Sequence, residues 1–148
     1  MKKFLLIFIF LLAECGYQPI FLNKNLSDTE FYKITLEGDA EINRKIIESL
    51  PFKENKIKNT LNNLLVKSSL EIIETSKNSS GKVESYKSKI IFNLVIINQK
   101  KEITSKNFIK EFSYNTKDNK FELVKYQNEV KNILINKIIE DIILFMNI

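Results

Sequence analysis

Two long runs of alternating residues constrain the fold of this chain more than any other feature. The even positions of residues 86–96 carry Tyr86, Ser88, Ile90, Phe92, Leu94 and Ile96. Such a period of two is typical of a half-buried β-strand. A turn signal, Asn-Ser-Ser-Gly at residues 78–81, separates this run from an earlier one. The sequence therefore predicts a long β-hairpin, with bulges or a bend, since each arm exceeds the usual strand of about five or six residues.

The first arm of this hairpin allows a second interpretation. Within residues 52–77, one helical face would be formed by Ile57, Leu61, Leu64 and Leu65, whereas a strand alternation would use Leu64, Val66, Leu70 and Ile72. The turn signal that follows, with another alternating run beyond it, favours the strand. We therefore predict a strand over about residues 61–77.

Shorter patterns predict the elements that precede the hairpin. Residues alternate from Phe31 onwards, and Gly38 with Asp39 marks the end of this strand. A short helix follows, because Pro51 provides a stop and one helical face is formed by Ile42, Ile46, Ile47 and Leu50.

The elements after the hairpin are a strand and a long helix. Beyond a turn at residues 98–101, one face of the strand carries Phe108, Phe112 and Tyr114. Asp118 or Asn119 can cap a helix that runs essentially to the C-terminus, with an apolar stripe of Leu123, Val130, Leu134, Ile138, Ile142 and Phe145. The predicted fold is an α+β sandwich of order β-α-β-β-β-α, with a mostly antiparallel four-stranded sheet and both helices on one face.

The N-terminus predicts export and lipid attachment. Two lysines precede about ten apolar residues, which suits a signal peptide and is half the length of a membrane span. Residues 12–15, Leu-Ala-Glu-Cys, resemble the lipobox of bacterial lipoproteins, in which the cysteine is diacylated and becomes the first mature residue. Glu14 departs from the small residue normally found before that cysteine. Ordinary signal-peptidase cleavage, giving a soluble secreted protein, and an uncleaved anchor therefore stay open.

These patterns divide the chain into a signal peptide (residues 1–14), a lipidated tether (15–30) and one domain (31–148). Removing 14 of the 148 residues leaves 134, enough for a single core. Cys15 is the only cysteine, so no disulfide can form within the chain and packing alone must hold the core.

The composition argues against an enzyme. The chain has no histidine, and its single cysteine is assigned to lipid attachment, so a Ser-His-Asp or Cys-His site or a usual zinc site cannot be built. Three glycines are too few for a glycine-rich phosphate loop. Two carboxylate pairs, Glu71 with Glu74 and Glu140 with Asp141, lie in lysine-rich amphipathic sequence and are interpreted as solvated charges. We expect no catalysis, no cofactor and no metal.

The positive charge favours an anionic surface over a nucleic acid. The net charge is +5, and 22 of the 23 basic residues are lysine. These lysines are interspersed with Glu and Asp and form no basic arm with aromatic residues, so nucleic acid is not the expected partner. A mild positive bias suits anionic lipid or sugar phosphates.

The sequence resembles one family of envelope proteins. Residues 15–20, Cys-Gly-Tyr-Gln-Pro-Ile, are similar to the start of the lipopolysaccharide-assembly lipoproteins (the LptE-like family), especially its divergent alphaproteobacterial branch. The order of elements is similar too, as is the Phe-Ser-Tyr-Asn sequence at residues 112–115.

This resemblance implies a non-enzymatic lipoprotein on the periplasmic face of the outer membrane. Its partner would be the large LptD-like β-barrel that inserts lipopolysaccharide, with this chain as plug and assembly partner. Cys15 would carry the acyl chains, and the resemblance implies that basic residues contact lipopolysaccharide; the candidates flank the hairpin turn and are Lys77, Lys82, Lys87 and Lys89. Two alternatives are an accessory lipoprotein of an envelope lipid-transport complex and a soluble secreted binding domain.

Overall fold

A computed structural model describes residues 29–57, 60–98 and 101–146 of the chain, without the side chain of Glu102. The predicted signal peptide, Cys15 and most of the predicted tether lie outside these residues. The elements within the described residues are, in chain order, β1 (Thr29–Phe31), β2 (Lys33–Gly38), α1 (Ala40–Glu48), β3 (Phe52–Glu54), β4 (Asn63–Lys77), β5 (Val83–Asn98), β6 (Lys101–Asn115) and α2 (Lys120–Met146).

The main sheet has four strands in the order β2-β4-β5-β6, and α1 and α2 pack on one of its faces. We call this the inner face and the opposite side the outer face. β4, β5 and β6 pair antiparallel, whereas β2 pairs parallel with β4, so the sheet is mixed. The predicted α+β sandwich is confirmed.

A second, two-stranded sheet was not predicted from the sequence. β1 and β3 pair in parallel, and the Thr29 N–H donates to the Pro51 carbonyl oxygen at 2.8 Å. The rings of Phe31 and Phe52 pack edge to face at a centroid distance of 5.3 Å and are both buried. Two residues of the predicted tether, Thr29 and Glu30, therefore already belong to the fold.

The transition from β2 to α1 depends on Gly38. Its φ of +84° is unfavourable for residues with a side chain, and a Cβ at this position would lie 2.0 Å from the Ser68 carbonyl oxygen. The next residue, Asp39, caps the helix, since its carboxylate accepts from the Ile42 N–H at 3.0 Å. These two residues end β2 and start α1 within two positions, as the sequence indicated.

The predicted hairpin is present, and the helical interpretation of its first arm is wrong. β4 and β5 pair in one uninterrupted register from Asn63 opposite Ile97 to Glu74 opposite Tyr86, and bulges follow near the turn. The side chain of Asn78 organises that turn by accepting from the Ser80 and Lys82 N–H groups. A further bulge interrupts β5 and β6 near Ile96. The expected irregularities in the long arms are therefore confirmed.

The long helix α2 supplies much of the core. Its 27 residues extend about 40 Å, and Asn119 caps it by accepting from the Phe121 N–H at 2.8 Å. Four of the predicted stripe residues are fully buried in the core: Val130, Leu134, Ile138 and Ile142. Leu123 and Phe145 are partly buried against the same core.

The apolar face predicted for β6 is only partly covered. Phe108 and Tyr114 are buried beneath the α2 rings of Phe145 and Tyr126, at centroid distances of 5.8 and 5.5 Å. Phe112 shares their face but is 40% exposed. It lies on an edge strand, where one flank of the side chain has no neighbouring strand.

Candidate functional site

The outer face of the sheet carries a ladder of opposite charges, and neither described helix packs on it. Lys89 of β5 lies opposite Glu71 of β4 on one side and Glu111 of β6 on the other. The Lys89 Nζ is 3.9 Å from a Glu71 oxygen, and the neighbouring Lys87 Nζ is 3.4 Å from Glu111 Oε1. Opposite charges in cross-strand positions stabilise a sheet modestly and make this part of the face polar.

The four lysines predicted to contact lipopolysaccharide lie at the hairpin end of the domain but do not form one free cluster. Lys87 and Lys89 lie on the outer face in the ion pairs just described. Lys77, at the end of β4, has its Nζ 3.0 Å from Glu74 Oε2. Lys82 follows the turn, is exposed, and has no ion pair with any other described residue. Lys82 is therefore the one most accessible to an external phosphate.

Three of the four carboxylates in the pairs considered from the sequence are engaged by lysines. Glu71 faces Lys89 and Glu74 faces Lys77, and Asp141 lies 2.7 Å from the Lys110 Nζ. Within residues 29–57, 60–98 and 101–146, no three Asp, Glu, His or Cys side chains are grouped so that they could hold a metal ion.

A polar contact between the helices, not predicted from the sequence, fixes α1 against α2. Glu41 accepts from Lys131 at 2.7 Å and from Lys45 at 2.8 Å, and Lys45 also donates to Asn132 at 3.0 Å. Hydrogen bonding to Lys131, and then to Lys45, lowers the pKa of the Glu41 carboxyl from 4.5 to about 2. The spacing of Glu41 and Lys45 is visible in the sequence, whereas Lys131 is 90 residues away.

An open groove of about 510 Å³ lies between the edge of β6 and the end of α2. Apolar side chains from both elements line it, together with one lysine and one carboxylate: Phe108, Ile109, Leu144, Phe145, Lys106 and Asp141. The Lys106 ammonium lies 5.8 Å from the centre of the Phe145 ring. Asp141 is already paired with Lys110, so the groove offers no free carboxylate among these lining residues.

Neither helix of the described residues is both long and apolar enough to cross a lipid bilayer. This finding agrees with the sequence-based interpretation of α2 as a core helix, since Lys131, Lys137, Glu140 and Asp141 interrupt it.

Comparisons with known proteins show the fold of this chain but not its family. No protein-family model matches the sequence, and no curated protein matches it. Rare lipoprotein B from Shewanella oneidensis is similar in structure, with a TM-score of 0.62, 16% identity, and coverage of 78% of this chain and 93% of that one. A minor lipoprotein from Acinetobacter baumannii has a TM-score of 0.56 and 14% identity, covering 76% of this chain and 87% of that one.

A third similar structure carries a different kind of name. It is described as a homologue of a neuraminyllactose-binding hemagglutinin from Helicobacter pylori, with a TM-score of 0.53 and 11% identity, covering 85% of this chain and 87% of that one. At identities this low, structural likeness establishes a common fold and no shared activity. The chain thus has a fold that is found in bacterial lipoproteins.

Proposed function

We propose that this chain is a non-enzymatic lipoprotein on the periplasmic face of the outer membrane, where it serves as plug and assembly partner of the lipopolysaccharide-inserting β-barrel. The observation that supports this proposal combines the N-terminal sequence with the fold. A lipobox-like N-terminus, followed by Gly-Tyr-Gln-Pro, precedes a sandwich fold shared with two bacterial lipoproteins. The alternatives of a lipid-transport accessory and a soluble secreted binding domain are kept as outcomes of the test.

Lipidation would make membrane attachment long-lived. Each buried methylene contributes about 0.8 kcal/mol, and one acyl chain alone binds only reversibly, so two or more chains on Cys15 are needed for stable anchoring. The folded domain itself would then need no membrane-spanning element.

The structure suits a rigid plug better than a reaction site. One face of the sheet is filled by two helices that a four-residue polar contact holds together, and the other presents paired charges to its surroundings. Paired charges and serine or asparagine side chains on this outer face are compatible with the polar lumen of a wide barrel.

The proposed contact with lipopolysaccharide centres on Lys82. Lys77, Lys87 and Lys89 must exchange a carboxylate for a phosphate, whereas Lys82 has no such partner among the described residues. Lys82→Ala is therefore expected to weaken binding of purified lipopolysaccharide about two- to fivefold, the worth of one exposed charge. Each of the other three should have a smaller effect. Lys67→Ala, an exposed outer-face lysine away from the turn, is the control, and an equal loss there would remove Lys82 from the site.

The proposal is tested by purifying the tagged full chain from crosslinked envelopes. We expect metabolic labelling with palmitate, abolished by Cys15→Ser, and co-purification of an outer-membrane barrel of about 26 strands. Recovery of an ATP-driven lipid transporter instead would support the accessory-lipoprotein alternative. An unlabelled wild-type chain in the soluble periplasmic fraction would support the secreted binding domain and contradict the proposal.

A further inference from the structure

β4 is paired along both sides in its first half and along one side only in its second half. β2 pairs with β4 from Asn63 to Ser68, where Gly38 turns the chain towards α1. β5 continues to pair with β4 as far as Lys77. Among the described residues, the segment from residue 69 to residue 77 therefore has no strand on its other side, and we call this sheet edge the β4 edge.

The hydrogen-bond register shows which backbone groups the β4 edge leaves unpaired. The Thr116 N–H donates to the Glu84 carbonyl oxygen directly opposite, so even-numbered residues of β5 bond towards β6. Odd-numbered residues of β5 must then bond towards β4, and even-numbered residues of β4 point away from β5. The Ser68 carbonyl, which accepts from the Asp39 N–H at 3.0 Å on the β2 side, agrees with this assignment.

Three residues of the β4 edge therefore present their N–H and C=O groups outward: Leu70, Ile72 and Glu74. These backbone groups make no hydrogen bond to another described residue. The pairing with β5 has no register shift up to Glu74, so the segment is regular. Only another extended backbone offers donors and acceptors at the matching spacing of about 6.8 Å between alternate residues.

Natural edge strands are blunted by charged side chains, especially lysine, and by proline or bulges. Lys77 and the bulges after Glu74 protect the last residues of the β4 edge, whereas residues 69–74 have only the charges of Glu71 and Glu74. β6, the other edge of the sheet, contains Lys101, Lys106 and Lys110 and a bulge near its start. From residue 69 to residue 74 the β4 edge has no lysine, proline or bulge, and it exposes Ile72 and Ile73.

The charges of the β4 edge are already compensated. Glu71 faces Lys89 and Glu74 faces Lys77, so a pairing strand meets no net charge. Leu70 and Ile72 lie on the inner side, where they offer an apolar surface to alternate residues of that strand. The complementary occupant is an extended, uncharged segment with apolar residues at every second position.

We infer that the β4 edge binds its barrel partner by β-strand addition, through an extended loop or terminal segment of that protein that continues the position of β2. The identity of the partner rests on the proposed function. The pairing supplies up to six backbone hydrogen bonds, two for each outward-facing residue, and the alternating side chains give specificity.

Proline substitution tests this inference without disturbing the sheet. Ile72→Pro removes an N–H that points away from β5, so it should block strand addition and leave the β4–β5 ladder intact. Ile109→Pro is the matched control, because odd-numbered residues of β6 also point outward and Ile109 is similarly exposed. Ile72→Lys and Ile109→Lys form a second pair that avoids any strain from the proline ring. Circular dichroism is used to check that each variant is folded.

Two readouts use the full lipidated chain in crosslinked envelopes. We expect Ile72→Pro to retain about tenfold less barrel than wild type, since several hydrogen bonds worth a few-fold each are lost together, whereas Ile109→Pro should retain the wild-type amount. A photo-crosslinker at position 72 should react with an extended segment of the barrel protein, and one at position 109 should not.

The possible failures are distinguishable. If wild type recovers the barrel, but Ile72→Pro recovers just as much and position 72 gives no crosslink, the strand-addition inference is overturned and the proposed function stands. A crosslink from position 72 to a second copy of the chain, or to lipid, overturns it as well. If wild type recovers no barrel, the proposed function fails, and the assignment of this partner fails with it.

Discussion

The two halves of β4 carry the same alternation of apolar and polar residues in opposite surroundings. In the first half, Leu64 and Val66 are 0% exposed, because β2, β5 and α1 surround them. In the second half, Ile72 is 45% exposed, because β2 has already turned away at Gly38. The period of a sequence thus identifies which side chains share a face, and neighbouring elements decide whether that face is covered.

The largest expected effect comes from a substitution that compares the two halves of β4 directly. Leu64→Ala should lower the free energy of unfolding by about 2–5 kcal/mol, because it opens a cavity where the side chain is fully buried. Ile72→Ala should cost less than about 1 kcal/mol, as do most substitutions of exposed residues. Urea unfolding of both variants measures the difference. Equal losses would mean that the second half of β4 is covered.

A second test concerns Gly38, the residue at which β2 turns away from β4. Gly38→Ala should cost more than about 2 kcal/mol, since a positive φ is combined with a backbone oxygen 2.0 Å from the new Cβ. Gly81→Ala is the control, with a φ of +82° and no atom within 4 Å of its Cβ. It should cost only about 1 kcal/mol. Thermal unfolding compares the two, and a Gly38 variant as stable as the Gly81 variant would contradict the close contact with Ser68.

The start of α1 provides a smaller effect. Asp39→Ala removes the carboxylate that accepts from the Ile42 N–H and should cost about 1 kcal/mol. Asp39→Asn keeps an acceptor at this position and should restore most of the loss. Chemical denaturation separates the two variants, and equal destabilisation by both would show that the cap hydrogen bond contributes little.

The smallest effect depends on pH. Because the pKa of Glu41 is lowered in the folded chain, its contacts stabilise the fold above pH 4.5, and this contribution is lost as the pH falls from 4.5 towards about 2. The carboxylate is partly exposed, so the contribution is small. Glu41→Gln should flatten the stability profile over this range, whereas Glu48→Gln, outside the ion pairs of the described residues, should not. An unchanged profile for Glu41→Gln would contradict the lowered pKa.

Local chemistry made the hairpin and the two main helices predictable. Asn78 and Gly81 belong to one turn of four consecutive residues. Asp39 and Asn119 cap helices that begin next to them. Each of these signals lies within a few positions of the element that it defines, so no knowledge of the tertiary structure was needed.

Contacts between distant residues explain what the sequence did not predict. β1 and β3 have only three residues each, too few for a periodic signal, and form through pairing across 20 intervening positions. The parallel pairing of β2 with β4 depends on the path of α1 between them. The candidate lysines lie at the predicted end of the domain, but the carboxylate partners of Lys87 and Lys89 follow from cross-strand register.

Lipid anchoring through Cys15 is tested by the intact mass of the mature protein, purified from membranes. We expect a chain that begins at Cys15 and carries the added mass of a diacylglyceryl group, with or without a further acyl chain on the new amino terminus. A mass that corresponds to an unmodified polypeptide, whatever its first residue, would contradict lipid anchoring and with it the proposed place of this fold in the outer membrane.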